Sequence, residues 1–206
     1  MSPNISIFEA YQLHFKLGSD PSLLFHCNHV TNVAFEIITQ LSSDLHLNKD
    51  LILVGALLHD IGRNRNQGIK HAFESSKIIK ESFLPSDFVN QVATLTSRHI
   101  GAGIPKNEAI ALGLPAMDFL PLTLEEKIVA YADKMVDYKF DKSKGSYQIL
   151  EWFTFNSVEN EARKLSKHLG SNHPAIKRLY NLENELLFYN NNERFTLTNS
   201  SLNIMQ

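Results

Sequence analysis

One cysteine, Cys27, stands in the 206 residues, so an internal disulfide is excluded and nothing points to a small bridge-stabilised scaffold. Basic charge is not in excess either. Lys and Arg number 20 against 22 Asp and Glu, a formal net charge of −2, which lacks the electrostatic footprint of a dedicated nucleic-acid binder. No apolar stretch reaches bilayer-spanning length, and the opening MSPNISIFEA has no basic patch leading into an apolar run. A soluble, cytoplasmic protein with no membrane partner is therefore expected. Strand signals are also missing: there are no alternating apolar–polar runs and no Asn-Gly or Asp-Gly turns. Apolar residues make up 43% and charged residues 20%, enough to build a core without staples.

What is present is helical periodicity. Residues 5–17 read as a short helix stopped by Gly18, after which Asp20 offers an N-cap with Pro21 at the first helical position. Leu23, His26, Val30, Val33, Ile37 and Leu41 then recur at steps of three and four. The run 50–61 is too apolar for a surface helix and reads as a buried one ended by Gly62. Further helices are expected at 71–81, from Pro85 to His99, and from the capping-box pair Thr123 and Glu126 onward, with Ile128, Ala132, Met135 and Val136 facing inward. Two amphipathic helices follow at 157–169 and 174–189. The reading is an all-α single helical domain over 1–190, with C-terminal helices at about 150–190 and a polar tail, 191–206, expected to fray. The lysine-rich stretch 139–147 reads as a mobile loop.

Four acidic and imidazole groups fall on apolar rows or beside them: His26, His59, Asp60 and Asp133, with His99 ending another such row. A carboxylate at a core-facing position costs several kcal/mol unless a cation or donors compensate. A divalent ion would satisfy Asp60 and Asp133 together; Mn, Fe, Co, Ni and Zn suit imidazole with carboxylate, and Mg suits carboxylates. Adjacent helical residues do not share a face, so His59 and Asp60 reach one ion only where the helix ends. The bland alternative is equally tenable on periodicity alone. Buried histidines are commonly hydrogen-bonded core groups, Asp60 can accept from nearby amides, and His71 can cap its helix.

In order along the chain, His26, the doublet His59-Asp60 within HDIGR, and Asp133 resemble the H…HD…D signature of the HD superfamily of metal-dependent phosphohydrolases. HCNHVTNVAFEI resembles its opening helix, HAFESSKII its third segment, placing His71, and TSRHIG its fourth, placing His99. The resemblance covers residues 20–138. It implies an HD-domain helical bundle in which His26, His59, Asp60 and Asp133 bind one divalent metal. His71 and His99 fill places of second-metal ligands or contact substrate phosphate. Ile100 follows His99 where many two-metal members carry another histidine, so one firm site is expected.

A metal-activated water hydrolysing a phosphoester of a small nucleotide-like substrate is the leading expectation. Asp60 would orient or deprotonate that water, and Arg63, one turn past His59, would grip a phosphate through parallel donors. Arg98 and Lys134 are further phosphate candidates, with Lys70 and Lys77 weaker. A non-catalytic nucleotide-binding or signalling module is the alternative, and a nuclease trails, because no basic stripe with interleaved aromatics is present. Trp152 and Phe153 could stack on a base, though packing is the commoner role. The proline-bearing stretch 104–122 is expected as a rim or lid, with Glu108 or Asp118 contacting substrate. His29 is expected behind His26 as a supporting group. Cys27, about 100° round the helix from His26, should point away from the metal. His14, His46, His168 and His173 are assigned structural or surface roles.

Overall fold

The computed structural model describes residues 4–136 and 156–198. Nine helices lie among them: α1 (Ile7–Leu17), α2 (Pro21–Gln40), α3 (Lys49–Leu58), α4 (His71–Ser82), α5 (Asp87–Ser97), α6 (Lys106–Ala111), α7 (Leu124–Lys134), α8 (Val158–Leu169) and α9 (Pro174–Phe188). A 3-10 turn, Ile61–Asn64, joins α3 to α4. No strand runs through the described residues; Ile104 and Phe119 form an isolated antiparallel bridge. The expected all-α HD-type bundle is what the chain adopts. No helix among the described residues is long and apolar enough to cross a membrane.

Local chemistry sets the helix starts. Ser6 and Glu9 form a capping box on α1, Thr123 and Glu126 form one on α7, and Asp20 accepts from the Ser22 amide ahead of Pro21. Gly18 ends α1 in the left-handed region at φ 63°, which a side chain would resist. The core is built where α2 packs on α3 and α7, α3 on α5 and α7, and α4 on α5. Ile37, Ile52, Leu57, Leu58, Ile78, Leu95 and Ile128 are fully enclosed there.

Three boundaries differ from the sequence reading, and each matters for the site. Helix α3 stops at Leu58 rather than at Gly62, and Asp60 takes a bridge-region conformation (φ −103°, ψ 7°). The doublet therefore sits in a turn, where neighbouring side chains are freed from the 100° helical offset. Gly62 does not terminate the helix. It lets α4 close on the turn, since a Cβ there would lie 2.0 Å from the His71 carbonyl oxygen and 2.4 Å from the Ser75 nitrogen. Helix α5 runs only from Asp87 to Ser97, capped by Ser86, so His99 lies beyond its end.

The stretch 104–122 contains a short helix, α6, that periodicity did not reveal, around a small second core of Ile104, Ala109, Leu114 and Phe119. Glu108 and Asp118 are engaged inside the fold rather than turned to a ligand. Arg178 of α9 holds both Glu108 oxygens, at 2.9 and 2.6 Å, and Asp118 accepts from the Lys106 amide. Of the tail expected to fray, residues 191–198 are described, and the stretch 196–198 is bonded to α2. Thr196 and Gln40 exchange two hydrogen bonds, Thr198 donates to Glu36, and Phe195 and Leu197 pack on the core. The 139–147 loop, Trp152 and Phe153 fall outside the described residues.

Gly62→Ala is expected to cost about 3 kcal/mol or more, because backbone rather than a flexible side chain stands in the way. Urea unfolding measures it, and a midpoint equal to that of the parent protein would contradict the packing account.

Candidate metal centre

Helix ends deliver the site. His59 follows the last residue of α3, His71 is the first residue of α4, His99 lies two residues past α5, and Asp133 is in the last turn of α7; His26 comes from the second turn of α2. The C-terminal ends of α3, α5 and α7 thus converge, and the partial negative charge of their free carbonyls favours a cation between them.

Each of three histidines uses one nitrogen to secure its ring. His59 Nδ1 lies 2.7 Å from the Ala56 carbonyl, His71 Nδ1 2.8 Å from that of Gly68, and His99 Nδ1 2.7 Å from that of Thr96. In every case the acceptor is three residues back. A carbonyl only accepts, so these Nδ1 atoms carry the hydrogen, and in the neutral ring Nε2 presents a lone pair. Those lone pairs face other acceptors. His59 Nε2 is 3.1 Å from His26 Nε2 and 3.6 Å from Asp133 Oδ1, and His26 Nε2 is 3.1 Å from Asp133 Oδ1. Asp60 Oδ2 completes this group, 3.6 Å from His26 and 3.7 Å from His59.

A second group adjoins it. His71 Nε2 and His99 Nε2 are 3.1 Å apart, and Asp60 Oδ1 lies 3.0 and 3.4 Å from them. That buried oxygen accepts no well-aligned hydrogen bond. Ligands about 2.0–2.2 Å from a common ion are separated by roughly 3.0–3.5 Å in tetrahedral or octahedral geometry. The second group fits that spacing and the first exceeds it by about 0.2 Å at most, and nitrogen with carboxylate oxygen is a donor set for first-row divalent metals. His26, His59, Asp60 and Asp133 can hold one ion. Asp60 can bridge to a second, for which His71 and His99 supply the nitrogens.

The electrostatics agree with a cation site. Burial opposes charge on Asp60 and Asp133, yet both are held well below the usual carboxylate range: Asp60 by His59, His71 and His99, and Asp133 by Lys134, His26 and His59. Burial also works against a proton on His59, but the Asp60 charge and the Asp133 contact more than offset it and raise that imidazole well above its ordinary value. His99 is pushed down to about 4, chiefly by burial.

Around these ligands the turn is fastened by groups that the sequence did not mark. The wholly buried Ser75 Oγ donates to the His59 carbonyl at 2.7 Å and accepts from the Gly62 amide at 2.8 Å, clasping the backbone on both sides of Asp60. His14 bridges Ser19 and the Leu57 carbonyl, and Asn64 donates to Ser19 and to the Ile61 carbonyl. The only sequence sign of Ser75 was its position one turn after His71.

Among the candidate phosphate contacts, Arg63 is at the site. Its Nε lies 2.5 Å from Asp60 Oδ2, Nη2 is 3.4 Å from His71 Nε2, and the side chain is one-third exposed. Lys134 is also there, with Nζ 2.6 Å from Asp133 Oδ2. Arg98 is not: its guanidinium binds both oxygens of Glu126, on the far side of the step from His99. His29 bonds the Phe25 carbonyl within its own helix. Cys27 is wholly buried within electrostatic reach of His59 and Asp60, and burial raises its pKa.

The HD domain profile matches residues 25–136, more than half of the chain. The chain belongs to the HD family. HD domains bind divalent metals, and members of the family are usually metal-dependent hydrolases. An uncharacterised protein of Methanocaldococcus jannaschii is 39% identical over 162 residues, which is 78% of this chain and 85% of that protein. Two tRNA (cytidine(56)-2'-O)-methyltransferases also match. That of Thermoplasma volcanium is 34% identical over 155 residues, 75% of this chain and 43% of the enzyme. That of Picrophilus torridus is 33% identical over 139 residues, 68% of this chain and 39% of the enzyme. This HD chain thus spans most of the first relative and less than half of each methyltransferase. No solved structure gives a significant match.

Two predictions follow from the geometry. Ser75→Ala leaves a carbonyl and an amide unpaired in a buried turn, so it should cost about 1–3 kcal/mol in urea unfolding and weaken Mn2+ binding about tenfold in a titration. Because a metal ligand must be unprotonated while the Asp60 charge favours a proton on His59, Co2+ binding should release protons, and more of them as the pH falls. Calorimetry in buffers of different ionisation enthalpy reads this release, and a binding heat independent of buffer would contradict it.

Proposed function

We propose that this HD chain is a metal-dependent phosphohydrolase that cleaves a phosphoester of a small nucleotide-like substrate. The observation that supports it most directly is the convergence of imidazole lone pairs and carboxylate oxygens beside a half-open cationic rim. A pure binding pocket has no need of that arrangement.

A divalent ion, when bound, supplies Lewis acidity toward a phosphoryl oxygen and an acidified water. The chain's own groups do the rest. Asp60, held rigidly by the Ser75 clasp, orients the attacking water and takes its proton. Arg63 is anchored through Nε on Asp60, with Nη1 3.3 Å from the Gln67 carbonyl, and its one-third-exposed guanidinium stands beside the ligands, where it would exchange these partners for a phosphate. Lys134, on the Asp133 side, adds a second positive charge. His59, His71 and His99 are buried, which limits access of bulk water to the ligand atoms.

The two methyltransferase relatives, in which a region like this chain occupies under half the length, favour testing RNA-derived phosphoesters beside free nucleotides. The purified protein loaded with Mn, Co, Ni, Zn or Mg is to be assayed on nucleoside monophosphates, triphosphates, cyclic nucleotides and short oligoribonucleotides. Turnover with at least one small substrate is expected, and Asp60→Ala should lower kcat/KM about a thousandfold. Nucleotide-induced thermal stabilisation without turnover under any metal would instead indicate a binding module, and turnover confined to the oligoribonucleotides a nuclease.

A further inference from the structure

The HD match ends at residue 136, yet the metal centre is braced by residues beyond it. Asp133 offers Oδ1 to His26 and His59 and gives Oδ2 to Lys134, which has little solvent exposure. A carboxylate divided in this way can donate only one oxygen to an ion, so the position of the Lys134 ammonium sets how Asp133 binds.

Lys134 is the last residue of α7, where the carbonyls lack intrahelical partners. The buried Asn156 takes up two of them. Its amide nitrogen donates to the Met135 carbonyl at 3.0 Å, and its Nδ2 donates to the Lys134 carbonyl at 3.0 Å. The same Nδ2 lies 3.0 Å from Oε2 of Glu161, on α8. Glu161 is within electrostatic reach of the Lys134 ammonium and also pairs with Lys164 at 3.4 Å. Lys134 is thereby held through its carbonyl by Asn156 and through its ammonium by Asp133, with Glu161 bonded to the Asn156 amide behind it.

We propose that Asn156 and Glu161 are positioning residues that fix Lys134 against Asp133 and so hold that carboxylate as a one-oxygen metal ligand, which brings Asn156 and α8, beyond the HD match, into the support of the metal centre. The inference rests on the metal-centre reading. Its physical basis is that an aspartate in a fraying last helical turn would otherwise swing. The backbone and side-chain N–H groups of the buried Asn156 bond both carbonyls and stop the fraying, and the Glu161 carboxylate keeps the asparagine amide turned to its task.

The test is Co2+ binding to the full chain, followed by calorimetry and by the visible absorption of the bound ion, for the parent protein, Asn156→Ala, Asn156→Asp and Glu161→Gln. Asn156→Ala removes the side-chain donor without adding charge, Asn156→Asp keeps the shape but sets a carboxylate against Glu161 and the Lys134 carbonyl, and Glu161→Gln keeps shape and removes charge. Weakening of about tenfold in both Asn156 variants, with a changed Co2+ spectrum and a smaller loss in Glu161→Gln, is expected. The metal-free variants should melt within a few degrees of the parent, a change too small to produce the altered spectrum. Parent-like affinity and spectrum in Glu161→Gln and in either folded Asn156 variant would overturn the inference while leaving the metal centre intact. Absence of Co2+ binding by the parent protein would remove both.

Discussion

Electron-rich groups are pressed together at the ends of the helices, and that crowding governs the rest of the molecule. Imidazole nitrogens 3.1 Å apart, twice over, with carboxylate oxygens beside them, repel unless a proton or a cation lies between. The fold contributes to this frustration rather than relieving it. Three Nδ1 atoms are bound to backbone carbonyls, which turns the unprotonated nitrogens inward. Three helix C-termini add partial negative charge in the same place. A cation resolves all of these demands at once, which is why the arrangement reads as a metal centre rather than as a satisfied polar core.

Holding such a cluster requires a stiff frame. The doublet His59-Asp60 stands in a turn rather than in a helix, and a turn would be the softest part of the site without its fastenings. Gly62 admits α4 into direct backbone contact, Ser75 clasps both sides of Asp60, and His14 reaches across from α1 to the Leu57 carbonyl. Asn156 performs the corresponding task at the end of α7. The supporting groups are neutral or paired, so they add rigidity without competing for the ion. Among the described residues Arg63 and Lys134 bring ammonium or guanidinium charge to the ligand carboxylates.

Membership of the HD family is consistent with this division of labour. The matched stretch, residues 25–136, contains all six candidate ligands, whereas α9 braces the 104–122 rim through Arg178 and Glu108. Glu108 had looked like a substrate contact because an acid on a proline-bearing rim is often free. In the folded chain it is neutralised by a bidentate partner 70 residues away.

Periodicity and capping chemistry sufficed to place most helices, because apolar stripes, Ser or Thr caps and the stop at Gly18 are local signals read within one or two turns. They also drew attention to His26, His59, Asp60, His99 and Asp133, since charged or imidazole groups on apolar rows need a partner wherever the chain goes, whereas His71 and the grouping of all six as ligands came only from the resemblance to the HD signature. Less local matters were decided by tertiary structure. Where α3 and α5 stop depends on what closes over them, so the doublet and His99 fell outside helices that their composition would have continued. Arg98 turned to Glu126 because a distant acid was there to pair with it. Residue spacing carries the identity of the donors. The distances among those donors, and the serine and asparagine that preserve them, arise only when segments remote in the chain are packed together.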